Sequence, residues 1–126
     1  MGVYRVSKQL WFSAAHQVRL SRDRCENLHG HNYRLVVHAE ANELDRTSYV
    51  LDFARLKGSA AAAAARFDHR NINEVEPFQE GGRNPTAEEL ARFFCDELSR
   101  DLNDGRVRIC RVEVFETDNS RAEYVP

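Results

Sequence analysis

The stretch Cys25-Glu26-Asn27-Leu28-His29-Gly30-His31-Asn32-Tyr33 decides how the rest of the chain is read. It runs into Arg34-Leu35-Val36-Val37-His38-Ala39-Glu40, which alternates loosely and is rich in strand formers, so a β-strand opens near Leu28. Side chains two positions apart on a strand share a face. His29 and His31 therefore project side by side, and Gly30 between them adds no side chain to the opposite face. Two imidazoles so presented make half a metal site. His16, which closes Leu10-Trp11-Phe12-Ser13-Ala14-Ala15-His16, is the natural third ligand.

Upstream of that stretch, Val6, Leu10, Phe12, Ala14 and His16 share one parity, with Lys8 the polar intruder. This predicts a first strand from about Tyr4 to His16 with one half-buried face. A polar connection from Gln17 to Arg24 then turns the chain back, and an antiparallel pairing returns His16 to the side of His29 and His31.

Downstream, a turn over Asn42-Glu43-Leu44-Asp45-Arg46-Thr47-Ser48 leads to Asp52, an N-cap for a helix carrying Phe53, Leu56, Ala60, Ala63 and Phe67. The alanines from Ala60 to Ala65 favour that helix, although Gly58 weakens its middle. A long loop passes Gly81-Gly82-Arg83-Asn84-Pro85, and Thr86-Ala87-Glu88-Glu89 has capping-box spacing. Leu90, Phe93, Phe94, Leu98 and Leu102 form the apolar stripe of a second helix that stops at Asn103-Asp104-Gly105. A third strand follows from Arg106 to Thr117, and a short fourth from Arg121 to Val125. The order ββααββ predicts one α+β domain over residues 1–126, an antiparallel sheet with its two helices on one face. Four strands are too few to close a barrel, so exposed sheet edges point to edge-to-edge homo-oligomers.

Composition narrows the class. The formal net charge of −2 gives no electrostatic reason for nucleic acid, and no apolar run is long enough to span a bilayer. Met1-Gly2-Val3-Tyr4-Arg5 enters a strand-like pattern with no signal peptide. Cys25, Cys95 and Cys110 are odd in number and widely spaced, which fits a reducing compartment. A soluble, cytoplasmic protein is expected.

Three imidazoles suit zinc with an open fourth position, where the ion acts as a Lewis acid on a substrate oxygen. At 126 residues the chain is too short for a metal-dependent hydrolase barrel, and it has too few strands for a cupin. Cys25, four residues before His29, is either a thiolate base beside the metal, a fourth ligand closing a structural site, or an inert thiol. Cys95 and Cys110 read as core. Asp68-His69 is an acid–base pair if the two side chains touch, and otherwise a helix-ending Asp beside a surface His. Glu116 shares parity with Cys110, Val112 and Val114, and a carboxylate closing an apolar face needs a ligand or a capping partner. Arg19, Arg22 and Arg24 form a basic cluster that either meets a phosphorylated substrate or decorates a solvated loop. His38 falls on the face opposite His29 and His31 and has no assigned role. Trp11, of opposite parity to His16, is a candidate subunit contact.

Taken together, Phe12-Ser13-Ala14-Ala15-His16, Cys25-x-x-x-His29-Gly30-His31-x-Tyr33, Asp52-Phe53, Asp68-His69-x-x-Ile72-Asn73, Pro85-Thr86-Ala87-Glu88 and Glu116-Thr117-Asp118-Asn119 resemble the 6-pyruvoyl-tetrahydropterin synthase / 6-carboxy-tetrahydropterin synthase family over nearly the whole chain. The resemblance implies the tunnelling fold, with trimers that usually stack as hexamers. It implies Zn²⁺ on His16, His29 and His31, and 7,8-dihydroneopterin triphosphate as the pterin triphosphate substrate. Cys25 would be the proton-abstracting base, relayed by Asp68 and His69 of a neighbouring subunit. Glu116 would anchor the pterin NH groups, with Thr86 and Thr117 nearby.

The compact length and Leu28-His29-Gly30-His31 resemble the bacterial branch, whose product is 6-carboxy-tetrahydropterin on the way to queuosine and other deazapurines. The mammalian-type branch makes 6-pyruvoyl-tetrahydropterin. Ser48-Tyr49 and Phe67 depart from the family pattern and alter the expected pocket wall. Glu26 beside Cys25 resembles dual-type members that also release 6-hydroxymethyl-7,8-dihydropterin, and its alternative is a solvent-facing glutamate. A reading of another class is a non-catalytic zinc- or pterin-binding module in which Cys25 closes the metal site.

Overall fold

The computed structural model describes residues 2–21 and 24–126, with Arg24 described for its backbone alone. Two long strands carry the architecture: β1 (Tyr4–His16) and β4 (His29–Ala41), with a small ladder of β2 (Arg19–Ser21) and β3 (Arg24–Cys25) between them. β1 and β4 are antiparallel in unbroken register from Tyr4↔Ala41 to His16↔His29. The chain continues through α1 (Phe53–Ala64), β5 (Arg70–Asn71), a 3₁₀ turn at Ile72–Glu74, α2 (Ala87–Leu102), β6 (Arg108–Thr117) and β7 (Ser120–Tyr124). The main sheet runs β5-β1-β4-β6-β7.

The expected α+β order is present, with two additions. Two-residue β5 pairs parallel to β1, Ala14↔Arg70 and Ala15↔Asn71, so the sheet is mixed. The polar connection after His16 is also partly ordered, as the β2–β3 ladder. Both additions are too short to show a hydrophobic period, which is why pattern reading passes over them.

The two-residue period puts Phe12, Ala14, Tyr33, Leu35, Val37, Val112 and Val114 on the buried face, against Leu56, Ala60, Leu90, Phe94 and Leu98 of the helices. Asp52 caps α1 by accepting the Ala54 amide, and Thr86 caps α2 by accepting the Glu89 amide. Helix α1 ends earlier than its apolar spacing predicts. Phe67 lies beyond it yet is fully buried, inside a cluster with Phe78, Phe93 and Phe94. The side chain finds the core from a turn as well as from a helix.

Cys110 corrects the core assignment. The β4–β6 register shifts between His38 and Ala39, so Ile109 takes the inward position and Cys110 is only half-buried. A β-bulge reverses parity, and no pattern in the sequence marks it. Cys95 is buried as expected, and Trp11 is exposed. Among the described residues no helix is long and apolar enough to cross a membrane.

Candidate metal centre

The register of β1 against β4 sets the site. His16 lies directly across from His29, and Ala14 across from His31, so the three rings meet at one end of the sheet on its buried face. His16 is buried, while His29 and His31 lie partly open. Nε2 of His16 stands 3.1 Å from Nε2 of His29 and 3.2 Å from Nε2 of His31.

The other ring nitrogens decide what that convergence means. His16 Nδ1 lies 2.7 Å from the Pro85 carbonyl, and His29 Nδ1 lies 2.8 Å from the Asn27 carbonyl. A carbonyl oxygen only accepts, so in each ring Nδ1 carries the proton and donates. In the neutral rings both Nε2 atoms then present lone pairs to each other across about 3 Å, which is repulsive without a cation between them. Burial lowers the His31 pKa, opposed by the charge of Glu116 and aided by the two neighbouring rings. Neutral, Nδ1-protonated imidazoles are the form that ligates a divalent ion. Tetrahedral zinc–imidazole bonds of ~2.0–2.1 Å separate ligand nitrogens by roughly 3.3 Å, close to the spacing here. The donor set fits such an ion.

Two carboxylates complete the ring of polar groups. Glu26 Oε1 lies 3.9 Å from His16 Nε2 and 3.8 Å from His29 Nε2; Glu116 Oε2 lies 3.5 Å from His16 Nε2 and 3.9 Å from His31 Nε2. A cavity of about 210 Å³ opens here, lined by His16, Glu26, His29, Thr86, Glu88 and Glu116 among others. Beneath it, the Tyr33 ring stacks on Phe12 and meets His16 and His31 edge-on. Its hydroxyl is fully buried with no hydrogen-bond partner among the described residues, and burial, Glu116 and Glu26 all push its pKa upward.

Residues 5–126 match the family model for 6-pyruvoyl tetrahydropterin synthase. The chain belongs to that family. It is 29% identical over 157 residues to a 6-carboxy-5,6,7,8-tetrahydropterin synthase of Aquifex aeolicus, spanning 96% of this chain and 97% of the relative. It is 32% identical over 114 residues to a dihydroneopterin monophosphate aldolase of Pyrococcus furiosus, spanning 90% of this chain and 87% of the relative. Among solved structures, the Caenorhabditis elegans 6-pyruvoyl tetrahydropterin synthase superposes with a TM-score of 0.84 at 26% identity, covering 100% of this chain and 97% of that one. The tunnelling fold follows.

Within this pterin synthase chain, the remaining candidate residues fall in three places. Cys25 is exposed in β3, its backbone opposite Arg19, and the group of ligand atoms lying within 4.8 Å of one another is the three histidines without it. Successive residues of extended backbone face opposite ways, and here Glu26 takes the inward side. Asp68 and His69 touch, with His69 Nδ1 3.0 Å from Asp68 Oδ1. Asp68 Oδ1 also accepts the Ser13 amide at 2.9 Å, and that bond leads the causes holding its pKa below the ordinary range. His69 adopts φ 60°, a left-handed conformation that sets its ring beside Asp68 at the rim of a cleft of about 450 Å³ shared with His31. Thr86 sits in the cavity wall while capping α2, and Thr117 lies at the β6–β7 turn, its hydroxyl bonded to Asn119.

Of the basic cluster, Arg22 and the side chain of Arg24 lie outside the described residues. The Arg19 guanidinium is anchored on the protein: it donates to the Arg83 carbonyl at 2.5 Å and the Phe78 carbonyl at 3.4 Å. The residues that sequence reasoning missed act through backbone carbonyls, Asn27 and Pro85, or through a burial state, Tyr33. Residue type carries no signal for either.

Proposed function

We propose that this chain, acting as a single domain over residues 1–126, is a zinc-dependent 6-carboxy-5,6,7,8-tetrahydropterin synthase. It converts 7,8-dihydroneopterin triphosphate and water to 6-carboxytetrahydropterin, acetaldehyde and triphosphate, for queuosine or deazapurine biosynthesis in the cytoplasm. The observation that carries this reading is the convergence of three Nε2 atoms on the wall of a cavity bounded by carboxylates. The Aquifex relative carries that activity in its name.

His16, His29 and His31 would hold Zn²⁺, which supplies Lewis-acid polarisation of a side-chain hydroxyl of the substrate. Glu116 accepts hydrogen bonds from the pterin NH groups, a fixed charge that orients the ring, with Thr86 and Thr117 beside it. Cys25 as thiolate removes the proton from the side-chain carbon next to the polarised oxygen. Asp68 fixes the His69 imidazole, which relays that proton. The relay comes from a neighbouring subunit of a trimer-based oligomer, expected as a hexamer.

A second reading rests on Glu26. Its carboxylate faces the histidines while Cys25 is exposed, an arrangement suited to a base acting on a substrate hydroxyl. Removing that proton turns the hydroxyl into the carbonyl of triphosphorylated glycolaldehyde as the adjacent carbon–carbon bond breaks by retro-aldol reaction. The bond's electron pair passes to the pterin ring, which regains a proton to leave 6-hydroxymethyl-7,8-dihydropterin, and the Pyrococcus relative is named as an aldolase. Chromatography of the products from 7,8-dihydroneopterin triphosphate tests both. 6-Carboxytetrahydropterin supports the first reading, and 6-hydroxymethyl-7,8-dihydropterin alone replaces it with the second. No turnover by zinc-loaded protein leaves a binding module.

A further inference from the structure

From Gln17 to Arg19, the first residue of β2, each residue has both backbone polar groups taken by a single partner. The Gln17 amide donates to Asn73 Oδ1 at 2.8 Å, and Asn73 Nδ2 donates to the Gln17 carbonyl at 2.8 Å. The Val18 amide donates to Glu26 Oε1 at 3.1 Å, and the Glu26 amide donates to the Val18 carbonyl at 3.0 Å. The Arg19 amide donates to Asn84 Oδ1 at 2.9 Å, and Asn84 Nδ2 donates to the Arg19 carbonyl at 2.9 Å. An asparagine side chain is an amide with the same donor and acceptor as a peptide group. Asn73 and Asn84 therefore stand where neighbouring strands would otherwise pair.

Both clips lead to His16. Asn73 holds the residue that follows it in the chain. Asn84 precedes Pro85, whose carbonyl accepts the hydrogen bond from His16 Nδ1, and the Arg19 guanidinium pins the same loop through Arg83. Asn73 is itself fixed, since its amide donates to Asn71 Oδ1 at 3.0 Å beside the fully buried Ile72. Metal-ligating histidines depend on such outer hydrogen bonds for tautomer and ring direction.

We propose that Asn84 and Asn73 are positioning residues of the metal centre that act through His16: they fix the ring so that Nε2 stays unprotonated and aimed at His29 and His31. The inference rests on the metal-binding reading given above. Loss of either clip frees the His16 ring and lets Nε2 take the proton, so zinc affinity falls about 10–100-fold in each alanine variant.

The test measures zinc affinity by chelator competition for the unaltered chain, Asn84→Ala and Asn73→Ala, with circular dichroism as the check on folding. Nitrogen-detected NMR of the zinc-free protein, at a pH where the rings are neutral, reads the His16 tautomer. The expected result is protonated Nδ1 in the unaltered chain, mixed tautomers in the variants, weakened zinc binding and unchanged circular dichroism. Folded variants with unaltered zinc affinity overturn the inference and leave the metal reading standing. An unaltered chain that takes up no zinc sinks both. Should the variants fail to fold, the unaltered protein still decides, because a proton on His16 Nε2 overturns the proposal.

Discussion

The Glu26 carboxylate stands 3.9 Å from His16 Nε2, and the Val18 amide holds its Oε1 there at 3.1 Å. A charged oxygen fixed by a backbone donor is a prepared acceptor rather than a solvated surface group. Its neighbour Cys25 is exposed. Two adjacent candidate bases therefore differ in what their surroundings prepare them to do.

Glu26→Gln keeps the oxygen that accepts from Val18 and removes the charge. A lost general base costs at least about 100-fold in rate, so formation of 6-hydroxymethyl-7,8-dihydropterin should fall by that factor while zinc content holds. Cys25→Ala should instead abolish 6-carboxytetrahydropterin and also keep zinc. Zinc lost with Cys25→Ala would make the thiol a ligand. Metal analysis beside product chromatography reads both.

Tyr33→Phe removes a buried hydroxyl that has no hydrogen-bond partner among the described residues. A satisfied buried hydroxyl contributes about 1 kcal/mol, and an unsatisfied one costs a comparable amount. The zinc-free variant should therefore unfold at the same or a higher temperature than the unaltered protein. Calorimetric unfolding that shows a drop would mean the hydroxyl is bonded within the folded chain.

Gly82→Ala and Gly58→Ala make one chemical change with opposite expected signs. A Cβ at Gly82 would collide with the Pro77 carbonyl oxygen and lie 3.0 Å from that of Gln79, and both are backbone atoms that cannot swing aside. The cost should be about 1–3 kcal/mol. Gly58 lies inside α1 with nothing within 4 Å of its Cβ, so alanine there should add about 0.5–1 kcal/mol. Urea unfolding measures the pair.

Glu40 predicts the acid limb of stability. Its buried carboxyl is bonded first by Arg108 and then by Arg5, and those bonds hold its pKa below the ordinary value. A depressed folded-state pKa means that the unfolded chain binds the proton more readily. The stabilisation is thus complete above the unfolded glutamate pKa of ~4.3 and is lost as pH falls through the lower folded value. Glu40→Gln should flatten unfolding free energy against pH below about 4, with little change in slope between pH 5 and 7. A variant whose acid limb matches that of the unaltered protein would place the acid sensitivity elsewhere.

Much of the site is legible because it lies on long regular strands. His16, His29 and His31 follow from parity on β1 and β4, where a two-residue period leaves little freedom. The same arithmetic failed at Cys110, where a bulge adds a residue without a sequence mark. It leaves open whether Asp68 and His69 touch, because their contact goes with a positive φ at His69 and the Ser13 amide from β1. It also left Cys25 and Glu26 undecided, since a two-residue ladder fixes which side of the chain turns inward.

Periodicity and capping residues alone determined the long strand pair, both helices and the three imidazoles on one face. Each of these depends on neighbours within a few positions of the chain, where backbone geometry repeats. Only the tertiary structure decided that Pro85 sets the His16 tautomer, that Asn73 and Asn84 clip the segment beyond it, and that Glu26 rather than Cys25 faces the rings. Those contacts join residues 8 to 69 positions apart, through carbonyls and amide side chains whose partners are chosen by how loops pack and not by residue type.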